Sequence, residues 1–227
     1  MHMLNTKEVL HKIFKNPEQE LLMFSDPISK LDIYHKEDGK YYLKSISKNE
    51  EEKKVYDEKT GKSAPEEIVR QLYLYELTKK YKYPRSHIEL EKIIQFGREK
   101  NDNKRADIVI YTDDTWQTIK MIIEVKAPNA ENDIQQLKSY LNAEGSPIGV
   151  AINGKYQLIL FRPYPKDFDT LDEIPAYGEN VEDVLQKRKT LVDLKEQDLK
   201  VIIKTLEELV LANSGFDSFD EIFKLIY

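Results

Sequence analysis

Arg105-Ala106-Asp107-Ile108-Val109-Ile110-Tyr111 and Ile119-Lys120-Met121-Ile122-Ile123-Glu124-Val125-Lys126-Ala127 are two apolar runs separated by the polar break Thr112-Asp113-Asp114. Their length and composition fit two strands of an antiparallel hairpin. Side chains alternate along a strand, so Glu124 and Lys126 share one face while Ile123 and Val125 take the other. Met121-Ile122-Ile123 and Ala127 make this strand apolar enough to be central. Charges there are costly unless they are paired or bound to something. Asp107 opens the apolar run Ile108-Val109-Ile110, and hairpin pairing can bring its carboxylate beside Glu124. Two carboxylates and a strand carbonyl, that of Val125, suit a magnesium ion, which takes hard oxygen ligands and keeps several waters. Such an ion polarises a phosphodiester oxygen and activates water, and Lys126 would stabilise the developing charge or help deprotonate that water. The alternative is an ordinary Glu124–Lys126 ion pair on a half-exposed strand.

Working outward, His87 to Phe96 reads as a strand before this pair, and a helix from Ser63 to about Lys80 precedes it. Ser63 with Glu66 has the capping-box spacing, Pro65 suits the first turn, and Ile68, Leu72 and Tyr75 repeat at helical spacing. After Pro128 a second amphipathic helix carries Ile134, Leu137, Tyr140 and Leu141 and ends near Gly145. Pro147 to Ile152 and Tyr156 to Phe161 form two more strands around Asn153-Gly154, a dipeptide favoured in two-residue hairpins. The order helix, three strands, helix, two strands predicts an α/β sandwich around a mixed sheet.

Three expected segments follow: residues 1–62 as an N-terminal extension with a hairpin, 63–164 as the core, and 165–227 as an acidic linker and helical segment. In the first, a helix starts around Thr6 to Phe14, breaks fall at Asn16-Pro17 and Asp26-Pro27, and Asp32-Ile33-Tyr34 and Tyr41-Tyr42-Leu43 flank a turn at Asp38-Gly39. The charged run Lys48 to Lys62 reads as an exposed loop. In the third, helical periodicity resumes after Val181, and a last helix, Phe219 to Tyr227, meets the chain end without a stop signal. The expectation is that the natural polypeptide continues.

The run from Pro65-Glu66-Glu67-Ile68-Val69-Arg70-Gln71 through Arg105-Ala106-Asp107, Ile123-Glu124-Val125-Lys126-Ala127-Pro128 and Gln136-Leu137-Lys138-Ser139-Tyr140 resembles the PD-(D/E)XK nucleases, and most closely the N-terminal nuclease domain of type I restriction subunits. The resemblance implies a restriction-endonuclease-like αβββαβ core acting as a Mg2+-dependent DNA endonuclease. It puts Asp107, Glu124 and Lys126 at the metal-binding and catalytic positions, with Ala106 replacing the proline of the family name. Glu67, or else Glu66, would be the first-helix acid; a capping role is the alternative for either. Gln136 and Tyr140 match the Gln-x-x-x-Tyr element of the RecB-like branch, near the catalytic lysine and DNA. The segment Ala212 to Tyr227 looks like the opening of type I adenine methyltransferase subunits, which implies a fused restriction-modification polypeptide. Implied partners are double-stranded DNA and methyltransferase and specificity domains or subunits, in the cytoplasm. A non-catalytic nuclease-like module binding DNA or a partner subunit, and a repair or recombination nuclease, are the other readings.

Composition narrows the chemistry. The chain has 227 residues with 35 basic and 41 acidic side chains, formal net charge −6, and no cysteine, which removes disulfides and thiolate chemistry. From Pro165 on there are 8 basic and 15 acidic residues, leaving 27 and 26 before it, so the acid excess belongs to the end of the chain. No run approaches the ~18 apolar residues of a membrane span. Gly149 to Lys155 nearly spells a phosphate loop, but Tyr156 stands where a hydroxyl must meet magnesium. The four histidines, His2, His11, His35 and His87, have no ligand spacing. His87 reads as structural and Trp116 as a strand-edge cover, while Arg98, Lys100, Lys104 and Arg105 could contact phosphate.

Overall fold

In a computed structural model, residues 3–47, 49–96, 104–131, 133–187 and 201 are described. The expected turn over 97–103, with Arg98 and Lys100, and the expected helices after residue 188, with the methyltransferase-like segment, lie outside the described residues. Two compact units are present, 1–179 and 180–227. The described part of the second is a helix over 181–187, opened by reciprocal hydrogen bonds between Asn180 and Asp183.

The first unit is built on a six-stranded sheet: β4 (Ile88–Ile93), β5 (Arg105–Tyr111), β6 (Ile119–Val125), β7 (Ile148–Ile152), β8 (Gln157–Phe161) and β9 (Asp169–Leu171), in that order across the sheet. Only β6 and β7 are parallel. They are joined by α5 (Ile134–Glu144), the crossover a parallel pair needs. This is a mixed α/β sheet of the restriction-endonuclease-like kind. The apolar run of β6 is buried on both faces, as its lack of alternation requires: Met121, Ile122, Ile123 and Val125 are all solvent-free. Ile122 packs in one cluster with Leu137 and Leu141 of α5. The opposite face is closed in part by α4 (Pro65–Lys79), which also packs on β6.

Two glycines set how closely the helices approach. A Cβ on Gly149, opposite Ile122 in the β6–β7 register, would sit 2.6 Å from Leu141 Cδ1, so α5 rests directly on bare backbone. Gly154 has φ +86, and its Cβ would lie 2.8 Å from the carbonyl oxygen of Glu20. The loop 153–156 between β7 and β8 is therefore both left-handed and pressed against the N-terminal extension. It spans four residues rather than the expected two, because Asn153 Oδ1 accepts from the Lys155 and Tyr156 amides and lengthens the turn.

The extension itself holds α1 (Thr6–Ile13), α2 (Pro17–Glu20), α3 (Pro27–Lys30) and a three-stranded antiparallel sheet of β1 (Ile33–Lys36), β2 (Lys40–Lys44) and β3 (Glu52–Asp57). The Asn16-Pro17 and Asp26-Pro27 breaks are helix starts, with Asn16 and Asp26 as side-chain caps and proline in the first turn. Strand β3 corrects the reading of residues 48–62 as an exposed loop. Its charges face solvent in alternation, while Val55 and Asp57 are buried, the latter capping the turn through Lys59 and Thr60. The Ser63 capping box is also corrected: α4 starts at Pro65 with Ala64 as its uncapped N-cap, and Ser63 is drawn instead into a bridge with Tyr56. The expected strand His87 to Phe96 begins one residue later, His87 closing a 3-10 turn. The sheet also runs past Tyr164, with β9 pairing on β8.

Gly154→Ala must force a side chain into a left-handed position against backbone. It is expected to cost about 1–3 kcal/mol, read as a lower urea midpoint at unchanged slope.

Candidate active site

Continuing the β5–β6 register from Ile108↔Ile123 sets Asp107 across from Glu124. The Asp107 carboxylate is fixed on both sides: Oδ2 accepts from the Val125 amide at 2.8 Å and Oδ1 from Arg70 Nη2 at 2.6 Å. Glu124 is treated differently. It is only 4% exposed, its Oε2 accepts from Gln136 Nε2 at 3.0 Å, and its Oε1 is buried with no partner. Burial first, and the neighbouring Asp107 second, push its pKa up to about 8.

Gln136 and Tyr140, one turn apart on α5, meet as the sequence spacing predicts. Gln136 Nε2 also donates to the Tyr140 hydroxyl at 2.8 Å, so the amide is pinned between phenol and carboxylate. The N-cap of α5, Asp133, accepts from the Gln136 backbone amide and fixes the start of the helix, and Gly145 at φ +71 ends it. Lys126 lies just past β6, its amide donating to the Ile152 carbonyl. Its ammonium makes no ion pair among the described residues, yet its charge acts on both Glu124 and Glu66, favouring their ionised forms. The ordinary Glu124–Lys126 ion pair is therefore not formed.

The two acids that start α4 behave differently. Glu67 is committed: Oε2 accepts from Arg70 Nη1 at 2.8 Å and Oε1 from Gln71 Nε2 at 2.8 Å, so it reaches Asp107 through Arg70. Glu66 makes a looser contact of 3.8 Å with Arg70. Its pKa is raised by partial burial and by Asp107 and lowered by Lys126 and Arg70, which marks Glu66 as facing the pair. Of the two, Glu66 has the freer carboxylate.

Two residues of this cluster were not assigned from sequence. Arg70 is 8% exposed and touches Glu67, Asp107 and, at 3.3 Å, Glu91 Oε1. An arginine between Val69 and Gln71 in a helix buried from Ile68 to Leu74 was a readable signal, since such a charge needs partners. Glu91 gave none, because its position depends on a left-handed backbone conformation within β4, which a glutamate does not announce.

No group of three His, Asp or Glu side chains among the described residues is arranged as a closed metal cage. The pair Asp107 and Glu124 nevertheless fits a cation that brings most of its own waters. Glu124 Oε1 is an orphaned buried oxygen, and the neighbouring donors are hard oxygens. Elsewhere, Trp116 stacks on Tyr111 with centroids 5.3 Å apart and donates to the Ser86 carbonyl, so it covers the sheet edge. His87 packs edge-on against Tyr177 at 5.3 Å. No helix among the described residues is long and apolar enough to cross a membrane.

Residues 65–175, from the first residue of α4 past the end of β9, match the family model of the type I restriction enzyme R protein N terminus, which supports a nuclease-like restriction-modification domain. No curated protein and no solved structure matches the chain.

Because Glu124 keeps its proton in the folded state up to about pH 8, while the unfolded chain releases it near 4.5, stability falls as pH rises through that interval. Glu124→Gln is expected to flatten that fall. At pH 9 without divalent cations it should gain about 1 kcal/mol, roughly 2–4 °C in Tm, by removing a buried charge. Mg2+ should raise the Tm of the unaltered chain and leave that of the variant in place.

Proposed function

We propose that the 65–175 domain is a Mg2+-dependent DNA endonuclease of the PD-(D/E)XK kind, serving a type I-like restriction-modification enzyme. One observation carries this reading: a buried carboxylate oxygen without a partner, on Glu124, lies beside Asp107 with the unpaired ammonium of Lys126 two residues along the same face. A fold maintains an uncompensated buried acid where function requires it.

Asp107, Glu124 and the Val125 carbonyl would hold the cation, with Glu66 joining directly or through water. When bound, Mg2+ would polarise the scissile phosphodiester and lower the pKa of a water molecule. The chain's own residues supply the rest. Gln136, braced by Tyr140, holds Glu124 Oε2 and so turns Oε1 away from α5. The Val125 amide fixes the Asp107 carboxylate plane. Lys126, free of ion pairs among the described residues, stabilises negative charge that develops on the phosphoryl oxygens and on the attacking oxygen. Double-stranded DNA is the substrate, and methyltransferase and specificity domains or subunits are the partners, in the cytoplasm. With 27 basic and 26 acidic side chains, residues 1–164 bring no positive excess of their own to bind duplex, so target choice and much of the affinity come from those partners.

A second reading, a nuclease-like module that binds DNA or a partner subunit without cutting, is favoured by one observation: Arg70 already occupies Asp107 Oδ1. Cleavage of supercoiled plasmid in Mg2+ separates the two. Lys126→Ala and Asp107→Asn are each expected to lose at least about 100-fold in cutting rate, with Lys126→Ala retaining the thermal transition of the unaltered chain. Undiminished cutting by both variants would place the chemistry elsewhere.

A further inference from the structure

Strand β4 contains a conformational fault directly beside the acid pair. Its register with β5 continues unchanged from Leu90↔Ile108 to Lys92↔Ala106, but Glu91 and Asp107, which face each other between these pairs, are left out of the ladder. At this point the backbone is left-handed, φ +55, a conformation that a glutamate adopts only at a cost. The Glu91 carboxylate stands 3.3 Å from Arg70, and its side chain is half exposed on the wall of a cleft of about 450 Å³ shared with Lys53, Leu90, Arg105 and Trp116. Residues held in such sparsely populated backbone conformations cluster at functional sites.

The hand of the strain matters because of where Arg70 stands. Its two terminal nitrogens are divided, Nη2 on Asp107 at 2.6 Å and Nη1 on Glu67 at 2.8 Å and Glu91 at 3.3 Å. A divalent cation on Asp107 meets a guanidinium bonded to a ligand oxygen, and like charges at that spacing repel strongly in a half-buried site. Arg70 cannot simply turn to solvent: its side chain is 10% exposed, and removing a buried charge from its partner is costly.

We propose that Arg70 is the resident counter-charge of the acid cluster, and that Glu91, at the left-handed break in β4, is the positioning residue that takes up the guanidinium when a divalent cation claims Asp107. The proposal rests on the reading of Asp107 as a cation ligand. In the state described, Arg70 neutralises the acids and keeps them close. In the cation-bound state Arg70 shifts toward Glu91 and Glu67, along the open side of the cleft, and its positive charge stays satisfied. The strain at Glu91 thereby has a use that a plain edge strand would not provide.

Calorimetric titration with Mn2+ tests this without reference to cleavage. Glu91→Gln, which keeps the size but not the charge, is expected to bind Mn2+ about tenfold more weakly, the scale of a lost supporting contact at a metal site. Glu91→Gly should lose the same affinity while its Tm holds or rises, since glycine accepts φ +55 without cost; a purely structural residue in this conformation would not move the two readouts apart. Glu91→Asp should restore most of the affinity. With Arg70→Gln, or Arg70→Lys should that variant fail to fold, the further change Glu91→Gln should no longer alter Mn2+ binding. Equal affinity of Glu91→Gln and the unaltered chain overturns the proposal and leaves the cation site standing. A tenfold loss that persists in the Arg70 background also overturns it, because Glu91 then acts by its field alone. Failure of the unaltered chain to bind Mn2+ overturns the cation site and this proposal together.

Discussion

The pairing of β5 with β6 is the constraint from which the rest of the site follows. Asp107 and Glu124 are neighbours because Ile108 faces Ile123 and Val109 faces Ile122. Side chains alternate with a period of two, so a one-residue slip would send one acid to the other face of the sheet. Such a slip would also push each of the two buried apolar sets of β6 into the packing shaped for the other, and misfilled cores cost roughly 1–3 kcal/mol. The hydrophobic pattern thus holds the acids in a juxtaposition that electrostatics alone would oppose.

That opposition is resolved unequally. Asp107 receives two donors, the Val125 amide and Arg70, whereas Glu124 receives one on Oε2 and none on Oε1. Two ionised carboxylates side by side would repel, and with Glu124 driven to about pKa 8 by burial and by Asp107 the pair shares its charge by leaving one member protonated. A group that is neutral by itself at pH 7 and becomes an anion when a cation arrives makes the site hospitable to the cation while limiting the cost of the resting state. The unpaired Lys126 is the complement, a positive charge held within reach of Glu124 and Glu66 and tied to neither.

The sequence revealed this centre because strands impose a strict rule on spacing. Glu124, Lys126 and Asp107 were placed by alternation within apolar runs, and Gln136 and Tyr140 by the helical repeat; Gln136 joins Tyr140 to Glu124, Asp107 lies across from Glu124, and the Lys126 charge acts on Glu124. Long-range or irregular features were not readable. β3 is so rich in charge that its buried residues, Val55 and Asp57, are hidden among Glu51, Glu52, Lys53 and Lys54. Ser63 had the spacing of a cap, but its backbone is taken by Tyr56, a tertiary pairing that local pattern does not encode. Glu91 depends on a left-handed backbone conformation inside a strand, and no strand pattern announces one at a glutamate. Arg70 was the exception, a buried charge in an apolar helix whose partners are distributed over α4, β4 and β5.

The N-terminal extension also has a physical link to the chemistry. Gln71, 1% exposed, accepts from the Ile46 amide and donates to Ser45 Oγ at the end of the three-stranded sheet, and the same amide nitrogen donates to Glu67. Glu67 in turn holds Arg70, and Arg70 holds Asp107. At the other end of the sheet, Glu20 of α2 accepts from Asn129, and its carbonyl lies against Gly154. The extension therefore clasps the core at both the α4 acids and the β7–β8 loop. Four hydrogen-bonded side chains in series, each buried or half-buried, transmit position better than any one pair, because moving one leaves its neighbour unsatisfied at a cost of about 1–3 kcal/mol. The geometry of Asp107 is in this sense set partly by residues 45 and 46, outside the segment that carries the family match, and the core and its extension act as one mechanical support for the acid pair.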